Sequence, residues 1–197
     1  MIDSIHAHNI DEDNRIIYLH GDLSSDTDPG IDNRCSVKFI KNINYLNSIN
    51  SEPIEIQMNC IGGEWAAGMG IYDAISHSAS RVIAVAYSQL ESMSGVIFQA
   101  ADVRLISKNA HFMLHYGNTG YHGDYKNVHN YLDFEKNNLT PVMIDIYAKC
   151  ILKGSMSQKF KTKKSASKFI EEKLMNGDWY LTAEQAVDLG FADGILQ

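Results

Sequence analysis

Three kinds of side chain in this sequence could together cleave an acyl bond: a serine at a turn, a histidine at a strand end and a set of aspartates. Ser92 lies in RVIAVAYSQLESMSGVIFQAA, residues 81–101. Residues 82–87 form a short apolar, β-branched run that reads as a buried strand. A polar turn at 88–91 follows. Ser92-Met93-Ser94-Gly95 then opens a second apolar run, 96–101, which reads as the start of a buried helix. Free backbone N–H groups and the helix dipole favour negative charge at such a junction. Acyl transfer needs that, because an oxyanion forms one bond away from the nucleophile. The competing reading of Ser92 is an ordinary helix N-cap.

A serine hydroxyl is a poor nucleophile until a base takes its proton, and histidine titrates in the right range. NAHFMLHY, residues 109–116, alternates partly and reads as a strand. GNTGYHG, residues 117–123, reads as a loop, so His115 sits at a strand end beside a turn. His111 and His115 share the HxxxH spacing, but a zinc site of that kind wants a helix and the glutamate of HExxH, and neither is present. His111 and His122 are the local alternatives to His115. A carboxylate on the far ring nitrogen would hold the histidine tautomer. On the residues alone, Asp178, Asp102, Asp188 and Asp193 are equal candidates.

The elements that must position these groups follow in chain order. Residues 1–14 read as a short mobile arm, 15–20 as a strand and 21–33 as a turn-rich loop. Val37, Ile40, Ile43 and Leu46 mark an amphipathic helix, and 54–58 alternate like a half-buried strand. In NCIGGEWAAGMGIYD, residues 59–73, Gly62-Gly63 permits close backbone approach and the small residues after it suit a helix packed on a sheet. The GxxxxGK[ST] and GxGxxG phosphate-loop spacings are absent. Residues 103–106 read as another strand. Residues 124–153 have long helical periodicity, with Val128, Tyr131, Leu132, Leu139, Val142, Met143, Ile146 and Cys150 near one face and an interruption at Thr140-Pro141. The lysine-rich stretch 153–168 reads as a solvated loop and helix face. Residues 179–181 read as a short strand. Thr182 with Gln185 forms a capping box, and Gly190 ends that helix.

Composition bounds the rest. At 197 residues the chain is one domain, or one domain with an appendage, and 45% hydrophobic residues suffice for a core. A net charge of −7 argues against nucleic acid and anionic membrane as main partners. No run of about 18 apolar residues is present, and the polar, acidic start is unlike a signal peptide. Cys35, Cys60 and Cys150 are widely spaced with no CxxC pair, which fits reduced thiols in a cytoplasmic protein.

Five segments in order resemble the proteolytic subunit of the Clp protease, including its shorter phage-type and divergent relatives. RIIYLHGD is similar to the family's first strand, and MNCIGGEWAAGMGIYDAI to its Gly-Gly segment. ESMSGVIFQAAD is similar to the nucleophile segment and HFMLHYGNTG to the histidine segment. GDWYLTAEQAVDLGFADGI is similar to the C-terminal segment that carries the aspartate. The resemblance covers the chain from about residue 15 to its end. It implies Ser92, His115 and Asp178 as catalytic residues, with the backbone N–H groups of Gly63 and Met93 as an oxyanion hole.

The resemblance also implies an α/β, ClpP/crotonase-like fold of repeated β-β-α units. A single peptidase domain would span 15–197, with a protruding helical handle within about 124–175. The implied function is a self-compartmentalised serine endopeptidase whose core acts without ATP on peptides or unfolded proteins. Its copies would form a homo-oligomer, a heptameric ring or double ring, with a Clp-type ATPase as a further partner and no metal or organic cofactor. The alternatives are a phage prohead maturation protease of the same superfamily, a crotonase-type acyl-CoA enzyme, and an inactive ring subunit. The chain departs from the family pattern at several places. Cys60-Ile61 stands for Ser-Pro, Glu91 for a small residue before the serine, and Asn176-Gly177 for the arginine before the aspartate. The N-terminal arm is short, and 153–175 is longer than the family's usual link.

Overall fold

The structure, a computed structural model, describes residues 2–21, 30–118 and 120–196. The described residues form one eight-stranded sheet covered by helices. The strands are β1 (Ile10–Asp11), β2 (Ile16–Leu19), β3 (Ile54–Cys60), β4 (Val82–Glu91), β5 (Val103–Ser107), β6 (His111–Leu114), β7 (Trp179–Thr182) and β8 (Gly194–Leu196). The helices are α1 (Ile2–His8), α2 (Asn33–Ile49), α3 (Trp65–Ser76), α4 (Met93–Phe98), α5 (Tyr125–Phe134), α6 (Thr140–Ile151), α7 (Lys163–Leu174) and α8 (Ala183–Asp188). The main path runs β1-β2-β3-β4-β5-β8, parallel throughout except where β1 meets β2. Parallel strands need crossovers, and α2 and α3 supply them on either side of β3.

β3 reads as a strand because alternate residues, Ile54, Ile56, Met58 and Cys60, are all buried. α2 starts at Asp32, whose carboxylate accepts the Cys35 N–H at 2.8 Å. Its buried face is Ser36, Phe39, Ile43 and Leu46. Phe39 takes the place expected for Val37, which is exposed. The Thr182–Gln185 capping box forms as expected, and beyond α8 the Phe191 N–H reaches back to the Ala186 carbonyl at 2.8 Å.

Several expectations are corrected. The arm is ordered: α1 leads into β1, Ile10 is buried, and the Asn42 amide donates to the His8 carbonyl at 2.7 Å. An isolated arm would be mobile, but here one buried isoleucine and a strand pair hold it to α2 and β2. The expected loop at 21–33 falls mostly at 22–29, outside the described residues. Residues 88–91 are not a turn but the second half of β4. Ser88 takes a positive φ of 57° and kinks the strand. Before the kink β4 pairs with β5, and after it Gln89, Leu90 and Glu91 pair with His111, Phe112 and Met113 of β6. The interruption at Pro141 is a π-helical turn, Glu135–Leu139, between α5 and α6. Proline donates no N–H to the preceding turn, and the helix absorbs the loss by widening. The expected apolar face splits there: Met143, Ile146 and Cys150 are buried in the chain's own core, whereas α5 has no buried residue.

The kink in β4 sets up the site. β6 runs parallel to the end of β4, and β7 runs antiparallel to β6. The C-terminal ends of β4 and β6 and the N-terminal end of β7 therefore lie at one edge. Ser92 follows the first, His115 the second, and Asp178 precedes the third.

Candidate active site

The backbone of Ser92 has φ 53° and ψ −125°. A non-glycine residue there costs of order 1–3 kcal/mol and persists only where its surroundings impose it. Here the Ser92 N–H donates to the Met113 carbonyl at 2.8 Å, and every residue of α4 is buried. The chain must turn from strand to buried helix within one residue, and the serine takes the strain. Ser92 occupies the N-cap position, yet its side chain makes no capping hydrogen bond. Its Oγ lies 2.7 Å from Nε2 of His115 instead.

His115 is mostly buried, and its Nδ1 faces Asp178 Oδ1 at 3.4 Å. Asp178 is half exposed and follows Gly177, whose φ is 102°. The other aspartates are accounted for. Asp102 accepts the Val82 N–H at 2.8 Å, and Asp193 forms an ion pair with the buried guanidinium of Arg104. Asp188 lies in α8. Ser94 is fully buried, its Oγ 2.6 Å from the Glu91 carbonyl and 2.8 Å from that of Cys60. It ties the ends of β3 and β4 and is closed to substrate. His111 is engaged elsewhere, its Nε2 2.5 Å from Glu91 Oε1. The remaining alternative, His122, lies in the exposed loop before α5.

The Gly62-Gly63 turn packs directly against the serine. A Cβ at Gly62, whose φ is 94°, would sit 2.7 Å from the Glu91 carbonyl oxygen and from Ser92 Cβ, and 2.8 Å from the Met93 nitrogen. Only glycine fits there. The turn is held from behind by a bridge to Ile31, whose N–H donates to the Gly62 carbonyl at 2.6 Å. Among the described residues, the N–H groups of Gly63 and Met93 have no hydrogen-bond acceptor. Both residues line the same cleft as Ser92 and His115. Two unused donors beside a nucleophile can bind an oxyanion.

The cleft holds about 870 Å³. Trp65, Val96, Leu139 and Met143 give it apolar walls, and the π-helical turn closes its far side. Among the described residues, no group of three or more His, Cys, Asp or Glu side chains could hold a metal ion. No helix of the described residues is long and apolar enough to cross a membrane.

A serine hydroxyl bonded to an imidazole, a carboxylate behind the imidazole and two free donors can together perform acyl transfer. The family model described as Clp protease matches residues 13–197. The chain belongs to the Clp protease family. Membership makes it a peptidase of the serine class, a hydrolase. It is 25% identical over 169 residues to the ATP-dependent Clp protease proteolytic subunit of Deinococcus radiodurans, covering 84% of this chain and 76% of that one. It is 28% identical over 171 residues to proteolytic subunit 2 of Tropheryma whipplei, covering 84% and 86%. A ClpP1 mutant from Listeria monocytogenes has the same fold, with a TM-score of 0.70 at 21% identity over 94% of this chain and 93% of that one.

Within this Clp protease chain, the structure brings together every residue expected at the site. Ser92, His115 and Asp178 meet at one sheet edge, and Gly63 and Met93 flank the serine. Glu91 is paired, one of the two arrangements the sequence allows, but sequence reading did not identify His111 as its partner, nor the inward bonds of Ser94. Glu91 carried a signal as a carboxylate beside the serine that needed a partner. Nothing in the sequence pointed to Ser94 as a tie between strands.

Proposed function

We propose that this Clp-family chain hydrolyses peptide bonds with Ser92 as nucleophile, His115 as general base and Asp178 as the group that orients the imidazole. The observation that carries this is the 2.7 Å approach of His115 Nε2 to the Oγ of a serine held at positive φ. The Ser92 hydroxyl donates its hydrogen bond to Nε2. As Oγ attacks the scissile carbonyl carbon, the proton passes to Nε2 and the carbonyl oxygen becomes an oxyanion facing the Gly63 and Met93 N–H groups. The Asp178 carboxylate stabilises the imidazolium. His115 then protonates the leaving amine, and an acyl-enzyme remains on Ser92. Water, deprotonated by the same imidazole, releases the carboxylic acid and restores the serine.

The substrate is a stretch of peptide or unfolded protein, whose apolar side chains the chiefly apolar walls of the cleft suit. Bond cleavage consumes water alone, so the chemistry needs neither ATP nor a cofactor. The chain acts as one subunit of a homo-oligomer, a heptameric ring or double ring, with a Clp-type ATPase delivering substrate. The names of its relatives as subunits of an ATP-dependent protease support that reading.

The test is labelling with a fluorophosphonate probe, with the modified residue located by peptide mass, beside a fluorogenic peptidase assay. Ser92→Ala should abolish both signals. Ser94→Ala should remain labelled, since its hydroxyl is committed inward. Labelling that survives Ser92→Ala and disappears in Ser94→Ala would refute the assignment.

A further inference from the structure

We propose that Glu91 and His111 form a positioning pair that holds Ser92 against His115, an inference that rests on the serine peptidase reading above. Ser92 follows the last residue of β4, and His115 follows the last residue of β6. Their 2.7 Å contact therefore depends on how those two strand ends are joined. The backbone ladder between them is short. It registers Gln89 with His111, Leu90 with Phe112 and Glu91 with Met113, because β4 has left β5 only at the Ser88 kink. Across this ladder Glu91 Oε1 and His111 Nε2 meet at 2.5 Å. One partner lies one residue before the nucleophile and the other lies four residues before the base. The pair acts through the strands and does not touch the reacting atoms.

The pair also gives a carboxylate its donor. The Glu91 side chain is 19% exposed, and the His111 side chain, beside the Tyr180 ring, is 42% exposed. A carboxylate largely withdrawn from water and next to the serine would oppose the negative tetrahedral intermediate unless a donor met it. His111 supplies that donor.

The partners are unequal, and the inequality gives a test. Removing His111 strands the more buried group as an unpaired carboxylate. Removing Glu91 leaves a histidine that water can reach. His111→Ala should therefore slow acylation of Ser92 more than Glu91→Ala does, and adding Glu91→Ala to His111→Ala should return part of the lost rate. Glu91→Gln keeps an oxygen for His111 and should lose less than Glu91→Ala.

The experiment measures the fluorophosphonate labelling rate of Ser92, kcat and KM on a fluorogenic peptide, and the melting temperature, for the full chain and each variant. The expected result is a fall of about tenfold in labelling rate and kcat for His111→Ala with KM held, and about threefold for both Glu91→Ala and the double variant. Two results would overturn the pair as a positioning device. One is His111→Ala labelling at the wild-type rate. The other is a double variant no faster than His111→Ala. If His111→Ala does not fold, the glutamate variants decide: Glu91→Gln as slow as Glu91→Ala overturns the proposal, and a faster Glu91→Gln supports it. A wild-type protein that is not labelled at Ser92 overturns the peptidase reading, and this inference with it.

Discussion

His115 approaches Ser92 more closely than it approaches Asp178: Nε2 is 2.7 Å from the serine Oγ, and Nδ1 is 3.4 Å from the aspartate Oδ1. The imidazole is thus engaged with the serine hydroxyl while the carboxylate stands back and half in water. An exposed carboxylate at that distance orients the imidazole weakly.

The consequence is an ordering of variants. His115→Ala removes the proton acceptor and should lower kcat by about 10⁴-fold or more. Asp178→Asn removes only a distant, solvated charge and should cost about ten- to a hundredfold, less than a buried triad carboxylate would. Steady-state kinetics on one peptide substrate measures both. Equal losses would mean that the aspartate closes on the histidine in the working enzyme.

Gly62→Ala tests the glycine turn. An added methyl meets the Glu91 carbonyl oxygen and Ser92 Cβ at 2.7 Å, and the residue's φ of 94° is one that alanine adopts only under strain. The neighbours are backbone atoms and a Cβ fixed to the backbone, none of which can swing aside, so the turn must retreat from the serine. Gly63, next in the chain, should retreat with it and take its N–H out of reach of the oxyanion. We expect kcat to fall by about a hundredfold or more, the scale of losing one oxyanion donor, with a smaller change in KM. An unchanged kcat would remove Gly63 from the oxyanion hole.

Asp145 offers a pH-dependent test of the helical layer. Its carboxylate lies 2.8 Å from Lys149 and also pairs with Lys163, so it ties α6 to α7. The hydrogen bonds from Lys149, then Lys163, hold its pKa below the ordinary 3.8. A folded pKa below the unfolded one means that the contribution to stability is fully present above the unfolded value. It is lost as pH falls through the folded value. Asp145→Asn should therefore melt below wild type at neutral pH, and the gap should close as pH drops below about 4. Raised salt should narrow the gap at neutral pH, because the pair is partly exposed. Melting curves of both proteins from pH 7 to pH 3 check this. A gap that stays constant across this range would assign the effect to packing.

Much of the site was legible because its signals are local. Ser92 stands where an apolar strand run gives way to an apolar helix run, and His115 stands where alternation gives way to glycine. The choice among aspartates was not local. Asp102 and Asp193 are excluded by the Val82 N–H and the Arg104 guanidinium, 20 and 89 residues away in sequence. That choice came from the family resemblance alone. The Glu91–His111 pair escaped for a related reason: it exists only because Ser88 kinks β4 onto a new neighbour, and serine at positive φ has no sequence signature. The N-terminal arm misled because its composition is polar, while two buried residues, Ile10 and Asp11, are enough to anchor it. The periodicity of 124–153 was read correctly as helix, but periodicity cannot say which apolar face meets the chain's own core and which is left over.

That leftover face carries the last prediction, that activity needs assembly. Met143 and Ile146, on the apolar face that the periodicity marks, are buried within the chain. The exposed apolar groups lie earlier instead: Tyr125, Leu132 and Phe134, with Val142 just past the π-helical turn. α5 has no fully buried residue in its own chain, so its apolar side chains gain little from folding alone. A second copy of the same helix would cover them, and repeated contacts of one kind close into symmetric assemblies. The cleft borders the same segment, with Phe134, Leu139 and Thr140 among its walls, so docking at α5 also steadies the substrate site. Leu132→Asp and Tyr125→Asp change residues outside the cleft and outside the core, and should leave the melting temperature of the subunit nearly unchanged. Both should shift the protein to smaller species, and peptidase activity should fall on dilution more steeply than in wild type. Size-exclusion chromatography with light scattering over a concentration series, run beside the peptidase assay, measures both. Full activity in a monomer at every concentration would contradict the prediction.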